Sequence, residues 1–299
     1  MTRVIIFGTG AMACLFAARL ATTVDVVMAG TWGEAIEAIR GHGISLDEGG
    51  RTRKVKVRAE YLGAGIEPAD LAVVLVKSWQ TARIAGCLPR YIKPEGKTIS
   101  LQNGLGNIDK LGSGALAGST TEGATLLGPG RVKACGAGVT SVAGPEWIAA
   151  LLEKAGFDSH ACLQEEAEGL LWGKLAVSCG INALTAILRV HNGELLKSPS
   201  AADLMERATT ECAAVAGARG IKLPYADPIG RVREAVERTA GNVSSMLQDI
   251  RRGSPTEIDA INGAVAREGK RLGTAVPVND TLWKLVLAAE MRKERDESL

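Results

Sequence analysis

Three kinds of pattern are missing from this chain, and each absence removes a class of function. The six cysteines (Cys14, Cys87, Cys135, Cys162, Cys179 and Cys212) stand far apart, with no CxxC pair and no Cys/His spacing of the metal-site type. The three histidines, His42, His160 and His191, are isolated from one another and are given no role. No metal centre is expected, and 299 residues can bury a core without a disulfide staple. The cysteines read as reduced, mostly buried thiols of a reducing compartment. An excess of positive charge is missing too: 35 Lys and Arg against 33 Asp and Glu leave a formal +2, with no basic cluster interleaved with aromatics. Nucleic acid is not an expected partner. Long apolar runs are the third absence. Val4–Phe7 followed by Ala11–Ala21 has the composition of a secretory signal, but two glycines interrupt it and Arg19 lies inside it. No later segment has the ~18 uninterrupted apolar residues of a membrane span. The expectation is a soluble, cytoplasmic chain of about two domains.

What is present alternates between strand and helix. Arg3–Phe7 reads as a strand, Gly8-Thr9-Gly10 as a turn and Ala11–Ala21 as a helix. Val24–Met28 and Trp32–Arg40 repeat the unit, and Ile44–Val57 alternates around Gly49-Gly50 as a hairpin does. The apolar runs Leu71–Val76 and Thr98–Leu101 have the character of parallel strands covered on both faces. Further strands are expected within Val132–Val142. From Glu165 the period becomes helical, punctuated by Asn192-Gly193, Pro224 and Pro277, and Arg292–Leu299 reads as a frayed polar tail. The fold class is α/β: a Rossmann-like dinucleotide-binding domain over residues 1–165, then an all-α domain over residues 166–299.

Gly8-x-Gly10-x-x-Ala13 lies between the first strand and the first helix. The first glycine permits the tight turn, the second lets a pyrophosphate approach the backbone, and the small third residue lets helix pack on strand. Phosphates would meet free N–H groups at the helix N-terminus. The other reading is a close-packing turn without a ligand. The end of the second strand, Ala29-Gly30-Thr31-Trp32, holds neither the acid that would bind the ribose of NAD nor the arginine that would bind the 2′-phosphate of NADP. Asp25 sits too near the start of that strand to serve. If a phosphate is bound, Thr31, Lys77 or Arg40 must receive it.

Polar groups also recur where structural helices need none. Lys174, Ser178 and Asn182 follow at i, i+4 and i+8, so they share one helix face, either a site or a solvated stripe. Asn242–Asp249 and Thr256–Gly263 are two further polar stretches, and Lys77 and Gln102–Gly106 follow strand ends, where open α/β sheets bind ligands. Each has a bland alternative. Asn192 before Gly193 can be a plain turn, Ser245 a helix-interior hydroxyl bonded to its own backbone, Glu257 part of a solvated helix face and Lys77 a surface charge.

Seven segments stand in one order: GTGAMA at Gly8, VLVKSWQ at Lys77, LQNGLG at Asn103, WGKLAV…INALTAI at Lys174 and Asn182, HNGEL at Asn192, NVSSMLQDI at Ser245 and TEIDAINGAV at Glu257. In these the chain resembles the ketopantoate reductase (2-dehydropantoate 2-reductase) family along nearly its whole length. The resemblance implies reduction of 2-oxopantoate to pantoate by NADPH, in pantothenate and coenzyme A synthesis. It implies Lys174 and Glu257 as catalytic residues, Lys174 supplying a proton or hydrogen bond to the developing alkoxide. It implies cofactor contacts at Gly8, Thr9, Gly10, Ala11, Met12, Ala13, Lys77, Asn103 and Ala124, and substrate contacts at Ser178, Asn182, Asn192, Asn242 and Ser245, in a helical substrate-binding domain. The cofactor implied is NADP, with NAD left open by the strand-two residues. The partners are a small 2-oxo acid and at most a second copy of the chain as a homodimer, without nucleic acid or membrane.

The chain departs from the family pattern at three places. Ser178 stands where members usually carry an asparagine, the arginine after strand two is missing, and Glu122 stands where members often carry His or Tyr. These departures keep two alternatives in view: a paralogue reducing another branched 2-oxo acid, and a non-catalytic NADP(H)-binding redox sensor.

Overall fold

Arg3–Phe7 (β1) places Val4 and Ile6 on one face and Ile5 and Phe7 on the other, and all four are fully buried. A strand buried on both faces is the mark of a parallel sheet covered by helices. In the computed structural model, which describes residues 2–291, the N-terminal elements follow as α1 (Ala11–Leu20), β2 (Asp25–Gly30), α2 (Gly33–His42), β3 (Ile44–Glu48), β4 (Arg51–Val55), β5 (Arg58–Tyr61), β6 (Ala69–Val74), α3 (Thr81–Cys87), β7 (Ile92–Ser100), α4 (Asn107–Leu111), β8 (Ala115–Thr120), β9 (Ala124–Gly128), β10 (Arg131–Ala134), β11 (Val139–Ala143), α5 (Glu146–Lys154) and β12 (Asp158–Cys162). The expected polar tail Arg292–Leu299 lies outside the described residues.

Eight strands form one sheet in the order β12-β11-β8-β7-β6-β1-β2-β5, parallel throughout except where β11 meets β8. Phe7 is in register with both Ala29 and Val74, so β1, β2 and β6 end together. Ligands of open α/β sheets collect at that edge. The expected Ile44–Val57 hairpin forms as β3 and β4, turning at Gly49 and Gly50 with φ of +58° and +76°. It belongs to a second sheet, β4-β3-β10-β9, and one apolar cluster joins α1 to both sheets. Strands β5, β8, β9 and β12 were not foreseen. Apart from Leu116, Ala115–Thr120 (ALAGST) consists of small and polar residues that carry no alternation of their own.

The remaining helices are α6 (Gln164–Leu188), α7 (Glu194–Lys197), α8 (Pro199–Ala218), α9 (Pro228–Arg238), α10 (Ser245–Arg252), α11 (Asn262–Leu272) and α12 (Pro277–Met291). Contacts divide the chain into residues 1–102 with 107–167, and residues 103–106 with 168–299. The loop Asn103–Gly106 therefore packs with the helices that follow it much later in sequence. With 25 residues, α6 is long and apolar enough to cross a membrane by length and composition, although no uninterrupted apolar run announced it. Its Trp172, Leu175, Ala176, Cys179 and Leu184 are buried in the core of the helical unit.

All six cysteines are free. Cys14, Cys179 and Cys212 are buried, Cys87 and Cys162 are half-buried and Cys135 is exposed, so only half of them are the fully enclosed thiols expected.

Candidate active site

The glycine-rich turn has the expected geometry. Gly8 adopts φ +125°, and its N–H donates to the Ala29 carbonyl at 2.8 Å. A Cβ there would lie 3.1 Å from the Leu75 carbonyl oxygen and 3.3 Å from Ala13 Cβ, so the close packing requires small residues at both positions. Gly10 precedes α1 with open space beside it, and no side chain caps the helix. Thr9 is buried, and Ala11 and Met12 are half-buried in the first turn. The backbone N–H groups of this turn suit an anion.

Neighbouring strand ends are tied together. After β6, Lys77 leads into a short 3-10 turn, Ser78–Gln80, and Gln80 Nε2 donates to Thr31 Oγ1 at 3.5 Å. Beneath it, Gln102 Nε2 donates to the Val76 carbonyl and to Thr81 Oγ1, both at 2.8 Å, while Thr81 donates to Asn107. Arg40 is committed elsewhere: Nε donates to the Ala59 carbonyl at 2.8 Å, and the guanidinium pairs with Glu60 and Glu37, which raise its pKa. Ala124 opens β9, half-buried against the apolar cluster that holds α1. Glu122 is buried and paired with Arg19 at 3.1 Å, which also pairs with Glu48 and lies over the Phe157 ring. The acid at position 122 thus serves the packing of the N-terminal unit.

In the helical unit, Lys174, Ser178 and Asn182 are half-buried while Leu175, Ala176, Cys179 and Ala183 are buried, so the three share the less enclosed face their spacing implies. Burial pushes the Lys174 pKa down to about 8, against the Glu257 carboxylate, which pulls it up. Glu257 is only 5% exposed and sits in the turn between α10 and α11, so its reading as part of a solvated helix face is overturned. Asn103 Nδ2 donates to Glu257 Oε2 at 3.4 Å, and Leu105 N–H donates to the Ala260 carbonyl at 2.9 Å. The fold thereby gathers Asn103, Lys174 and Glu257 from three distant stretches.

A second group forms nearby in sequence. Asn192 is buried, takes the Asn242 carbonyl on its N–H at 3.0 Å and donates Nδ2 to Thr239 Oγ1 at 2.9 Å. Asn242 is exposed, and so is Ser245, in the first turn of α10. Ser245 is therefore no helix-interior hydroxyl. The cap is Ser244, whose Oγ accepts from Leu247 N–H and from Thr185 Oγ1. Gln102, Ser244 and Asn262 lie in stretches that the sequence marks as polar but received no role of their own, and Asn279, the buried partner of Asn262, was missed. Nothing around Asn279 in the sequence signalled it. No cluster of metal-ligating side chains occurs among the described residues.

A parallel sheet ending in an uncapped glycine turn, together with a helical unit carrying a half-buried lysine, defines a Rossmann-type oxidoreductase class. Family models described as "Ketopantoate reductase PanE/ApbA" and "Ketopantoate reductase PanE/ApbA C terminal" match residues 4–147 and 166–290. The 2-dehydropantoate 2-reductases of Archaeoglobus fulgidus and Halobacterium salinarum are 34% and 33% identical over 96% of this chain, covering 98% and 99% of their own. The chain belongs to the ketopantoate reductase family. Among solved structures, a family member from Ralstonia eutropha JMP134 superposes with a TM-score of 0.91 at 31% identity, covering 98% of this chain and 100% of its own. A D-mandelate dehydrogenase with NADH and anilino(oxo)acetate reaches the same TM-score of 0.91 at 28% identity, covering 97% and 99%.

Proposed function

We propose that this protein reduces 2-dehydropantoate to pantoate, with NADPH as the hydride donor. The observation that carries the reading is Lys174, a mostly buried lysine on α6 whose pKa burial lowers to about 8, beside the buried Glu257. The nicotinamide, when bound, supplies a hydride to the ketone carbon. Lys174 gives its ammonium proton to the carbonyl oxygen as negative charge develops there, and recovers it from water. Glu257 keeps that ammonium charged and, with Asn103, holds it in place. Asn182 orients the substrate, and Asn192, Asn242 and Ser245 receive its hydroxyl and carboxylate. Gly8, Thr9, Gly10, Ala11, Met12, Ala13, Lys77 and Ala124 hold the dinucleotide. On this reading residues 1–165 serve the cofactor and residues 166–299 the substrate. Six uncrosslinked thiols suit the reducing cytoplasm in which such an enzyme works.

A second reading of the cofactor is NADH. It is favoured by Arg40, whose pairing with Glu60 and Glu37 leaves Thr31 and Lys77 as the groups named for a 2′-phosphate. Loss of nicotinamide absorbance against a panel of 2-oxo acids tests both points. The expected result is the highest specificity constant with 2-dehydropantoate and NADPH. A clear excess with NADH replaces the cofactor, and a better 2-oxo acid replaces the substrate. Tight dinucleotide binding without turnover of any 2-oxo acid points to a sensor.

Ser178 supplies a further expectation. Its hydroxyl is shorter than an asparagine amide and offers one donor instead of two. Ser178→Asn is expected to raise the specificity constant for 2-dehydropantoate by about 1 kcal/mol, one typical hydrogen bond. A loss of activity on the best substrate would mean that serine makes room for it, and no change on any 2-oxo acid would remove Ser178 from the site.

A further inference from the structure

The helical unit contains a hydrogen-bond relay with a fixed sense. Glu211 on α8 receives the backbone N–H groups of Val278 and Asn279, each at 2.9 Å, at the start of α12. A carboxylate only accepts, so the Asn279 amide turns its Nδ2 toward Glu211, at 2.8 Å, and toward the Ala208 carbonyl, at 2.9 Å. Its Oδ1 must then face Asn262, which answers with Nδ2 at 3.0 Å. The same Nδ2 donates to the carbonyl of Cys179 in α6 at 3.2 Å. Both asparagines are fully buried, and Asn262 Oδ1 is left without a partner. A buried acceptor left unpaired is costly, so the orientation of Asn262 is imposed by its neighbours: Asn279, itself held by Glu211 and the Ala208 carbonyl, and the carbonyl of Cys179.

The relay ends at two functional stretches. Cys179 directly follows Ser178 and lies between Lys174 and Asn182. Asn262 opens α11 directly after the Glu257 turn, which closes on itself through Ala260 and Ile261 N–H to the Glu257 carbonyl and Gly263 N–H to the Ile258 carbonyl. Asn262 is thus the link between the helix that carries the lysine and the turn that carries the acid. We propose that Asn262, oriented by Glu211 through Asn279, is a positioning residue that sets the Lys174-bearing turn of α6 against the Glu257 turn. The inference rests on the catalytic reading of Lys174 given above.

The test combines three variants assayed as full chains. Asn262→Leu keeps the volume and removes both donated bonds. It is expected to lower kcat about 10- to 100-fold, the penalty of a small misplacement, with the KM of the dinucleotide unchanged. In Lys174→Ala/Asn262→Leu the second change is expected to add little, because its effect passes through the lysine. Glu211→Gln, on a half-buried residue, leaves one oxygen to accept where two accepted before, so it loses at least one of the bonds that anchor Asn279, and is expected to lower kcat several-fold with the same KM. Wild-type kcat in Asn262→Leu, or a fully additive double variant, overturns the proposal. If Asn262→Leu does not fold, an unchanged kcat in Glu211→Gln overturns it instead. Failure of the catalytic reading shows separately, as undiminished turnover in Lys174→Ala alone. The rate of Lys174 acylation across the neutral to alkaline range then still reports whether Asn262→Leu moves its titration, and an unmoved midpoint also counts against the relay.

Discussion

Lys174→Ala is expected to lower kcat by about 10²- to 10⁴-fold, the usual contribution of a positioned acid, with dinucleotide affinity nearly intact. The contact proposed for Lys174 strengthens only as the carbonyl oxygen gains charge, so its loss falls on the transition state and spares ground-state binding. The same residue sets an expected pH dependence. Lys174 must carry its proton to donate it, and its pKa is lowered to about 8. The specificity constant should therefore be flat below that pH and fall about tenfold per unit above it. Removing the Glu257 charge with Glu257→Gln takes away the influence that raises the lysine pKa, so the falling limb should move to lower pH. Steady-state rates across the pH range check both points. Wild-type turnover in Lys174→Ala would remove the lysine from the chemistry, and a limb unmoved in Glu257→Gln would uncouple the pair.

The second large effect is expected from one methyl group. Gly104 adopts φ +79°, and a Cβ there would lie 2.5 Å from the Ala260 carbonyl oxygen and 2.7 Å from Ala260 Cβ. The Asn103–Gly106 loop and the Glu257–Ile261 turn must separate to admit it. That separation breaks the Leu105 to Ala260 hydrogen bond and pulls Asn103 from Glu257. Gly104→Ala is expected to lower kcat by about 10²-fold, as misplacement of a catalytic group does, and to lower stability by about 1–3 kcal/mol. Gly106→Ala is the control: its φ of +77° imposes the same backbone strain, but nothing lies within 4 Å of its Cβ. It should show the stability loss of an alanine forced to positive φ, about 1 kcal/mol, with kcat near wild type. Thermal melts and rates on the pair separate strain from collision. Equal behaviour of the two variants would mean that the Ala260 contact yields easily.

Local order was legible wherever one short segment contains its own cause. The turn at Gly8, the hairpin at Gly49-Gly50 and the less enclosed face of Lys174, Ser178 and Asn182 follow from spacing, because backbone geometry alone puts those residues where they are. Strands β8 and β9 were missed, since Ala115–Thr120 owes its conformation to neighbours and not to its own alternation. Glu257 was open to reading as a surface acid, because nothing in Thr256–Gly263 states that the turn is enclosed.

By itself, then, the sequence determined the α/β order, the nucleotide turn and the candidate lysine, all of them properties of periodicity and of small residues at single positions. Tertiary structure decided which groups that lysine meets. Asn103 reaches Glu257 across 154 positions, Asn192 meets Asn242, Arg40 is spent on Glu60, and Glu211 orients Asn262 through Asn279. Apart from the exposed Arg40 pair, each of these joins polar groups far apart in sequence, at least one of which is buried. A buried donor or acceptor must find a partner, and only the packed chain determines which partner is within reach.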